Sequence, residues 1–352
     1  MTAHIHAIGT AVPEHDMHQT FVAWAAGRLE GRDRALFLRM AARSGIGHRF
    51  TVLSPPSEGA TPVDQGGFYG GAAPPTSRRM AVYAREAPAL AMAAVKDLAG
   101  RTSVAGITHL VVASCTGFVA PGIDQIIARQ LGLDGSVERT LVGFMGCYAA
   151  VAALRVAHHI ARSDRQARIL VITIELCSLH LQDVPEIEAL LAQLQFADGA
   201  AAALISSEPA GLAIDRFFAA VLPDSDALIR WTIGDEGFVM HLSGEVPGRI
   251  AQALESPEMQ RTILGNRSAQ DLSSWAVHAG GRSILDAVEY GLALGRAALA
   301  MSRQTLARYG NMSSSTLMFV LAGLMAEPGA IDGIAIAFGP GLAAEGFAMA
   351  SA

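Results

Sequence analysis

Short runs of apolar residues alternate along the chain with segments whose apolar positions follow a helical period. The runs predict strands at 4–12, 108–113, 139–142, 168–174, 200–206, 231–240, 274–278 and 333–338. The periodic segments predict helices at 33–44, 79–98, 121–131, 147–162, 282–308 and 315–325. Strands that are apolar throughout are typical of sheets covered by helices on both faces. The pattern therefore predicts a layered α/β fold with buried sheets.

The two halves of the chain follow a similar order of elements. Each half runs strand, helix, strand, and each carries a chemically reactive residue type at the end of an element. This order is compatible with a duplicated α/β unit, one half at 1–210 and the other at 211–352, although sequence self-similarity is too weak to show it. A stretch rich in Pro, Gly and Ser at 54–77 predicts a surface loop or a mobile lid.

Composition indicates a large buried core. Of the 352 residues, 51% are apolar and 16% are charged, and the mean hydropathy is +0.34. Such a chain has enough apolar residues for a large core and part of a subunit interface. No apolar run reaches the roughly 18 consecutive residues that a membrane span needs, so no span is expected.

Charge and cysteine usage exclude other classes of protein. The net charge is −6 and no basic block is present, so nucleic acid is not an expected partner. The first residues lack the basic and apolar regions of a signal peptide. The chain has 3 cysteines, an odd number that indicates reduced thiols and not a disulfide framework. We therefore expect the protein in the cytoplasm.

Cys147 follows Gly146 and opens a predicted helix of mostly apolar residues. The N-terminus of a helix carries unpaired N–H groups and about half a positive charge, which stabilise a thiolate, the nucleophilic form of cysteine. The alternative is a small buried hydrophobic residue, which is the favoured interpretation of Cys147 taken alone. Cys115 and Cys177 each end or follow an apolar strand, and burial is expected for both.

Two further polar residues stand where a side chain can reach a cleft. His278 ends a predicted strand and precedes a Gly pair, and Asn311 lies in a Gly-Asn-Met-Ser-Ser turn before an apolar helix. Each residue also has a purely structural interpretation. A histidine is often a core residue whose hydrogen bonds are satisfied, and an asparagine is favoured in turns and helix caps. Taken together with Cys147, they suggest acyl-thioester carbon–carbon bond chemistry.

Segments distributed over nearly the whole chain resemble the type III polyketide synthases, the chalcone-synthase-like members of the thiolase-fold superfamily. These segments lie at 8–13, 39–46, 115–124, 131–133, 146–147, 196–201, 278–281, 309–314 and 338–341. Several are weak singly, but their order and spacing together are specific. The resemblance implies a thiolase-like αβαβα layered α/β fold made of two duplicated halves.

The resemblance implies a catalytic triad of Cys147, His278 and Asn311. Cys147 would accept an acyl group from a coenzyme A (CoA) thioester, and His278 would hold the sulfur as a thiolate in an ion pair. His278 and Asn311 would then stabilise the enolate that forms when malonyl-CoA loses CO2. The enolate would attack the acyl group in repeated Claisen condensations until the chain cyclises. Acyl-CoA and malonyl-CoA are thus the expected partners, with no metal and no redox cofactor.

The resemblance also implies a substrate cavity, a CoA-binding surface and a homodimer. Phe196 matches an aromatic gatekeeper between the CoA tunnel and the cavity. The alternative interpretation is that Phe196 is an ordinary core residue. The residues expected to line the cavity are Cys115, Cys177, His180, Phe196, Met240 and Phe338. Arg39 and Arg43 match basic positions that contact CoA phosphates. The alternative interpretation is that they only form a solvated face of a helix. The high apolar content agrees with a homodimer.

Several positions depart from the plant members of the family. Leu36 stands where many carry a CoA-binding Lys, and Ala337 replaces the first Gly of a Gly-Phe-Gly-Pro-Gly motif. Met240 replaces a second aromatic gatekeeper, which suggests a more aliphatic, adaptable cavity. Ala120 replaces a Met that reaches into the neighbouring subunit's cavity, and the smaller side chain could leave room for a longer starter. Segment 175–180 looks more like the bacterial alkylpyrone and alkylresorcinol synthases. A fatty acyl-CoA starter and an alkylpyrone or alkylresorcinol-type product are therefore expected.

Three alternatives stay open at this point. An enzyme like β-ketoacyl carrier-protein synthase III would share the triad but perform one condensation, and segments 278–281 and 338–341 fit it less well. A dinucleotide-binding protein would use the glycines at 339–344, but Pro340 removes an N–H that should face phosphate. A non-catalytic dimer partner would keep the fold, and the intact triad argues against it.

Overall fold

The computed structural model of the chain describes residues 2–352, which form one nine-stranded mixed sheet, two short two-stranded sheets and the helices around them. The strands are β1 (Ala3–Ala11), β2 (His15–Asp16), β3 (Phe50–Thr51), β4 (His109–Ser114), β5 (Glu138–Gly143), β6 (Ile169–Leu176), β7 (Asp198–Ser206), β8 (Leu212–Val221), β9 (Ile229–Gly234), β10 (Gly237–Leu242), β11 (Ser274–Val277), β12 (Asp332–Gly339) and β13 (Ala343–Ser351). The α-helices are α1 (His18–Gly27), α2 (Gly31–Arg43), α3 (Thr76–Ala99), α4 (Ile123–Gln130), α5 (Ala149–Ser163), α6 (Ile187–Gln193), α7 (Val246–Glu255), α8 (Pro257–Leu264), α9 (Arg282–Gly291), α10 (Ala300–Tyr309) and α11 (Ser314–Ala326).

The large sheet has the strand order β11-β12-β13-β8-β1-β7-β6-β4-β5. From β1 outwards, β7 and β6 pair antiparallel and β4 and β5 continue in parallel. From β8 outwards, β13 and β12 likewise pair antiparallel and β11 continues in parallel. The two halves of the sheet join where β1 pairs with β8. The predicted layered α/β fold class is thus confirmed.

The core is continuous across the sheet. Helices α5 and α11 contact each other and strands from both halves of the sheet, within one hydrophobic cluster. Because α11 is enclosed on all sides in its first turns, its sequence is apolar around most of its circumference. Its first residues, Ser314, Ser315 and Thr316, are polar and yet fully buried. Buried polar groups need hydrogen-bond partners, and these three lie beside the candidate site.

Several element boundaries differ from those that the apolar pattern predicts. The predicted helix 147–162 begins at Ala149, because residues Gly146–Tyr148 form a separate 3-10 turn that carries Cys147. The predicted strand 231–240 is the hairpin of β9 and β10, and the predicted helix 282–308 is the pair α9 and α10. The pattern missed β8, whose buried and exposed positions alternate instead of forming a continuous apolar run.

The loop prediction at 54–77 is correct for most of that stretch. Residues 54–75, all of them described, form turns and bends and contain no helix or strand, and α3 begins at Thr76. The segment is held to the fold, because the Tyr69 hydroxyl donates a 2.8 Å hydrogen bond to the carbonyl of Ser178. Within residues 2–352, no helix combines the length and apolar character that crossing a membrane requires.

Candidate active site

Cys147 lies in a tight turn directly after β5. The turn places Phe144 at φ +57° and Gly146 at φ +72°, a region that non-glycine residues rarely adopt. A Cβ atom on Gly146 would lie 2.3 Å from Cδ of Pro340, so glycine is required there by space as well as by conformation. The side chain of Cys147 is half-buried, and α5 starts two residues later. The turn therefore presents the sulfur close to a helix N-terminus.

The Gly339-Pro340-Gly341 segment supports this turn from the other half of the sheet. A Cβ on Gly339 would lie 3.3 Å from the backbone nitrogen of Cys147 and 2.7 Å from the ring of Tyr148. The Tyr148 hydroxyl donates a 3.3 Å hydrogen bond to the carbonyl of Pro340. The segment after β12 is a 3-10 turn that leads into the antiparallel strand β13. A phosphate-binding loop is followed by a helix, so the dinucleotide-binding alternative is wrong.

His278 directly follows β11, the strand parallel to β12. Its backbone N–H donates to Ile336 at 2.8 Å, and its carbonyl accepts from Gly280 at 2.9 Å. The ring is buried, and neither ring nitrogen has a hydrogen-bond partner among residues 2–352. Burial lowers the pKa of His278 to about 3, because the charged imidazolium would lose its solvation. The ring is therefore a neutral imidazole with a free acceptor and a free donor.

Asn311 is held in a short backbone bridge with the segment that carries Phe196. Its N–H donates to Gln195 at 2.8 Å, and its carbonyl accepts from Ala197 at 2.9 Å. Its side-chain Oδ1 accepts from the N–H of Ser313 at 2.9 Å, and its Nδ2 donates to the carbonyl of Gly280 at 3.1 Å. These contacts fix the orientation of the amide. Since an amide nitrogen has two hydrogens, one remains for a ligand.

The three candidate catalytic residues are linked through neighbours. The Ser313 hydroxyl donates to Sγ of Cys147 at 3.8 Å, Ser313 binds Asn311, and Asn311 binds Gly280 beside His278. Ser313 itself lies at φ +47°, a strained conformation of the kind that concentrates at functional sites. The structure thus brings together three segments that are distant in sequence.

The thiolate–imidazolium pair that the resemblance implies stays a prediction, and burial acts against it. Burial raises the pKa of Cys147 to about 12, and the Ser313 hydroxyl opposes this shift only in part. The described residues show no hydrogen bond between Cys147 and His278. Burial therefore favours the neutral form of both groups.

A buried carboxyl group next to the site was not predicted. Glu175 in β6 accepts hydrogen bonds at 2.9 Å from the N–H of Cys115 and from the Thr116 hydroxyl, and a third from Ser314. Burial raises its pKa to about 7. The sequence offered one indication of this group, since Glu175 is the single charged residue of the mostly apolar strand β6.

Four of the six residues predicted to line a substrate cavity surround one chamber, and the other two lie elsewhere. A mostly apolar chamber of about 280 Å³ is enclosed by α1, the 54–75 segment, the turn after β6, α6 and the β9–β10 hairpin. Of the predicted residues, Cys177, His180, Phe196 and Met240 line it. Cys115 instead contacts the turn that carries Cys147, because its Sγ accepts a hydrogen bond from the N–H of Gly146 at 2.9 Å. Phe338 packs in the hydrophobic core of the C-terminal half of the sheet.

Aromatic rings form the wall of the chamber on the side of the catalytic turn. Trp231, which the sequence pattern did not single out, donates from Nε1 to the carbonyl of Cys115 at 3.1 Å, and its ring lies 6.5 Å from that of Phe196. His180 stacks on Phe238 with ring centroids 4.1 Å apart. Its Nδ1 accepts from the N–H of Phe238, so its Nε2 must donate to the carbonyl of Thr116. Burial lowers the pKa of His180 to about 3, and the ring is a fixed, neutral wall element.

Arg39 and Arg43 lie on the exposed side of α2, four residues apart. Neither makes an ion pair with a carboxylate in the part of the chain that the structure describes. The carbonyl of Arg43 accepts a 3.1 Å hydrogen bond from Arg282, which links the end of α2 to the segment after His278. Both guanidinium groups are thus available to an anionic ligand. The described His, Cys, Asp and Glu residues contain no group of three or more placed to hold a metal ion.

The layered sheet with Cys, His and Asn at its edge is a thiolase-like fold, the architecture shared with solved type III polyketide synthases. The chain belongs to the chalcone and stilbene synthase family: the N-terminal domain of "Chalcone and stilbene synthases" matches residues 1–209, and the C-terminal domain matches residues 214–352. The family resemblance read from the sequence is thereby confirmed.

Individual relatives agree with this assignment. The chain is 34% identical over 254 residues to the "alpha-pyrone synthesis polyketide synthase-like Pks18" of Mycobacterium tuberculosis, and equally to that of Mycobacterium bovis. The match covers 69% of this chain and 64% of the length of those relatives. These similarities favour the polyketide synthases over the single-condensation alternative.

Solved structures are similar over the whole chain. The C-terminal type III polyketide synthase domain of Steely1 from Dictyostelium has a TM-score of 0.88 at 25% identity and covers 100% of this chain and 99% of that one. PKS-I from the brown alga Ectocarpus siliculosus has a TM-score of 0.88 at 28% identity, with 100% and 98% covered. A mutant of CsyB, at 21% identity and a TM-score of 0.87, covers 100% of both chains and supports the fold alone.

Proposed function

We propose that the chain is a type III polyketide synthase, an acyltransferase that extends an acyl-CoA starter with malonyl-CoA and cyclises the product. The observation that carries this proposal is the linked arrangement of Cys147, Ser313, Asn311, Gly280 and His278 beside a mostly apolar chamber. In this arrangement the segments that carry a nucleophile, a base and an amide donor lie next to one another. These are the parts that thioester transfer and enolate formation need.

Loading starts from neutral partners. As Sγ of Cys147 attacks the thioester carbonyl of an acyl-CoA, the free nitrogen of His278 accepts the thiol proton. The C–S bond to CoA breaks, and the departing CoA thiolate takes that proton from His278. The products are acyl-Cys147 and free CoA thiol, and His278 is neutral again.

Extension uses two hydrogen-bond donors, Asn311 and His278. The thioester oxygen of malonyl-CoA accepts hydrogen bonds from the free Nδ2 hydrogen of Asn311 and from the N–H of His278. When the carboxylate leaves as CO2, its electron pair forms an enolate, whose oxygen these donors stabilise in a site without bulk water. The enolate carbon attacks the carbonyl of acyl-Cys147 and releases the sulfur. The lengthened chain then returns from CoA to Cys147 for the next round.

The chamber supports a fatty acyl starter. Its walls include Met17, Phe21, Leu53, Val184 and Met240, which offer apolar contacts to an alkyl chain. The printed name of the mycobacterial relatives specifies α-pyrone synthesis, and we infer an alkylpyrone or alkylresorcinol-type product for this chain. CoA thioesters are the only small molecules that this reaction requires, and Arg39 and Arg43 are suited to bind the CoA phosphates.

We also infer a cytoplasmic homodimer. Phe118 is 42% exposed and Leu141 is 43% exposed, and both lie near β5, the edge strand of the sheet. An edge strand flanked by exposed apolar side chains favours association with a second copy. The free state of all three cysteines suits a reducing compartment.

The polyketide synthase proposal is tested with CoA thioesters alone, without a carrier protein. Purified protein is incubated with malonyl-CoA and starters from acetyl-CoA to eicosanoyl-CoA, and the products are identified by mass spectrometry. Triketide or tetraketide pyrones or resorcinols are expected with the wild type and not with Cys147→Ala. If every starter leaves malonyl-CoA uncondensed, the polyketide assignment is wrong.

A further inference from the structure

Gln195 carries an amide group that the proposed reaction does not use, although it lies beside the candidate catalytic residues. Its backbone carbonyl accepts the N–H of Asn311 at 2.8 Å. The side-chain amides of the nearby Gln182 and Gln193 bind backbone groups, whereas that of Gln195 has no hydrogen-bond partner among residues 2–352. Gln195 therefore has donors and an acceptor left for a ligand.

The side chain of Gln195 lies against Gly281. A Cβ atom on Gly281 would overlap Oε1 of Gln195 and would lie 3.1 Å from its Cδ, so the amide occupies the space that a larger residue at 281 would fill. The amide is accessible, because Gln195 is only partly buried and neither of its amide atoms is among the enclosed polar atoms that lack a partner. A ligand that passes Gly281 can therefore reach it.

Gly281 lies between the candidate catalytic amide and the arginines suited to CoA phosphates. On one side, the carbonyl of Gly280 accepts from Nδ2 of Asn311 at 3.1 Å. On the other side, Arg282 donates to the carbonyl of Arg43 at 3.1 Å. Pantetheine is the arm of CoA that joins its phosphates to its sulfur. With the phosphates at Arg43 and the thioester at Asn311, as the proposed function has them, this arm passes Gly281.

The acyl chamber does not account for the amide of Gln195. The described residues around the chamber include Gln193 and Phe196, but not Gln195 between them. Gln195 thus stands beside the path of the CoA arm and outside the space that would take the acyl chain.

We propose that Gln195 is a binding residue for the pantetheine arm of the CoA thioester. Pantetheine contains amide groups, and an amide pairs with glutamine through its N–H as well as its C=O. The inference rests on the proposed function, because that function supplies the CoA thioester. A fixed hydrogen bond to the arm would hold the thioester carbonyl within reach of Cys147.

The test measures binding and needs no turnover. Full-length wild type and Gln195→Met are titrated by calorimetry with CoA and with adenosine 3′,5′-bisphosphate, which keeps a phosphorylated nucleotide and lacks pantetheine. Methionine resembles glutamine in length and has no amide. We expect Gln195→Met to bind CoA about three- to tenfold more weakly than the wild type and to bind the bisphosphate equally well.

Gln166→Met is the control variant, and it should bind both ligands as the wild type does. Gln166 is exposed in the turn before β6, at the opposite end of that strand from Cys177. Native circular dichroism of Gln195→Met shows that the variant folds. An unchanged CoA affinity in folded Gln195→Met overturns the proposal. An equal loss of affinity for CoA and the bisphosphate overturns it as well, because it indicates a general change in the fold.

The wild type alone also tests the proposal. CoA should bind at least about threefold more tightly than the bisphosphate, since the arm adds its own hydrogen bonds. If the bisphosphate binds as tightly as CoA, the arm contributes no affinity and the proposal fails, whether or not Gln195→Met folds. Because pyrone formation is assayed separately, a failure of this inference leaves the proposed function standing.

Discussion

The hydroxyl of Ser313 donates a hydrogen bond to the sulfur of Cys147 at 3.8 Å, and among residues 2–352 it is the one side chain whose contact lowers the pKa of this thiol. Burial and the charge of Glu175 both raise the pKa of Cys147, and the Ser313 bond lowers it. Ser313 holds this position in a strained backbone conformation at φ +47°. The pKa of Cys147 therefore depends on a neighbour outside the proposed triad.

Ser313→Ala should slow alkylation of Cys147. Without the hydroxyl, the pKa of the thiol rises further, so less thiolate is present at a given pH. We expect the rate of iodoacetamide inactivation to fall about three- to tenfold and its pH profile to move to higher pH. Ser315→Ala is the control, since the Ser315 hydroxyl binds the carbonyl of Gly199 instead. Equal alkylation rates in Ser313→Ala and wild type would contradict the role of Ser313.

Glu175 should make stability fall as pH rises. Its pKa is about 7 in the fold, against an ordinary value of 4.5, so between these values the folded state binds more protons than the unfolded state. The free energy of unfolding therefore decreases as pH increases through this window, by about 3 kcal/mol in total. The contribution is fully present below the ordinary pKa and lost above the raised one.

Denaturant unfolding of wild type and Glu175→Gln across this pH window isolates the effect. The variant has no carboxyl group to ionise at this position, so the difference in stability between the two proteins should change with pH in the stated direction. Asp198 also has a raised pKa, about 6, but it is present in both proteins and cancels in the comparison. A difference that does not change with pH would show that Glu175 titrates as an ordinary carboxyl group.

The sequence predicted the chemistry of the site better than its electrostatics. Cys147, His278 and Asn311 each lie in a short motif next to the end of a predicted element, and such motifs can be recognised in the sequence. The direction in which the pKa values of Cys147 and His278 shift could not be read, because it depends on which residues cover these two side chains after folding. Likewise Trp231, Glu175 and Gln195 acquire their surroundings only from contacts with segments distant in sequence. The division of the chain at 210/211 stays a prediction.

Arg39 and Arg43 should affect the binding of CoA and not the chemical step. If their guanidinium groups bind CoA phosphates, Arg39→Ala and Arg43→Ala each raise KM for acyl-CoA about three- to tenfold with little change in kcat, and the effect weakens as salt increases. Acyl N-acetylcysteamine thioesters, which lack the nucleotide, are the control substrate and should show no change. Arg32→Ala, in the first turn of α2, is the control variant. A loss of kcat with both kinds of thioester would instead indicate a structural role.

Trp231 should limit the length of the chain that the chamber accepts. Its indole stands in the wall between the turn that holds Cys147 and the chamber, with its Nε1 bound to Cys115 and its ring near Phe196. Trp231→Ala would open space there, and one methylene of fit changes selectivity about tenfold or more. We therefore expect kcat/KM for a starter too long for the wild type to rise at least about tenfold relative to a short starter, measured with a series of acyl-CoA lengths. Trp231→Phe, which keeps an aromatic wall, should lie between the two. If Trp231→Ala lowers kcat/KM equally for all lengths, the indole supports the catalytic turn through Cys115 and does not select the chain.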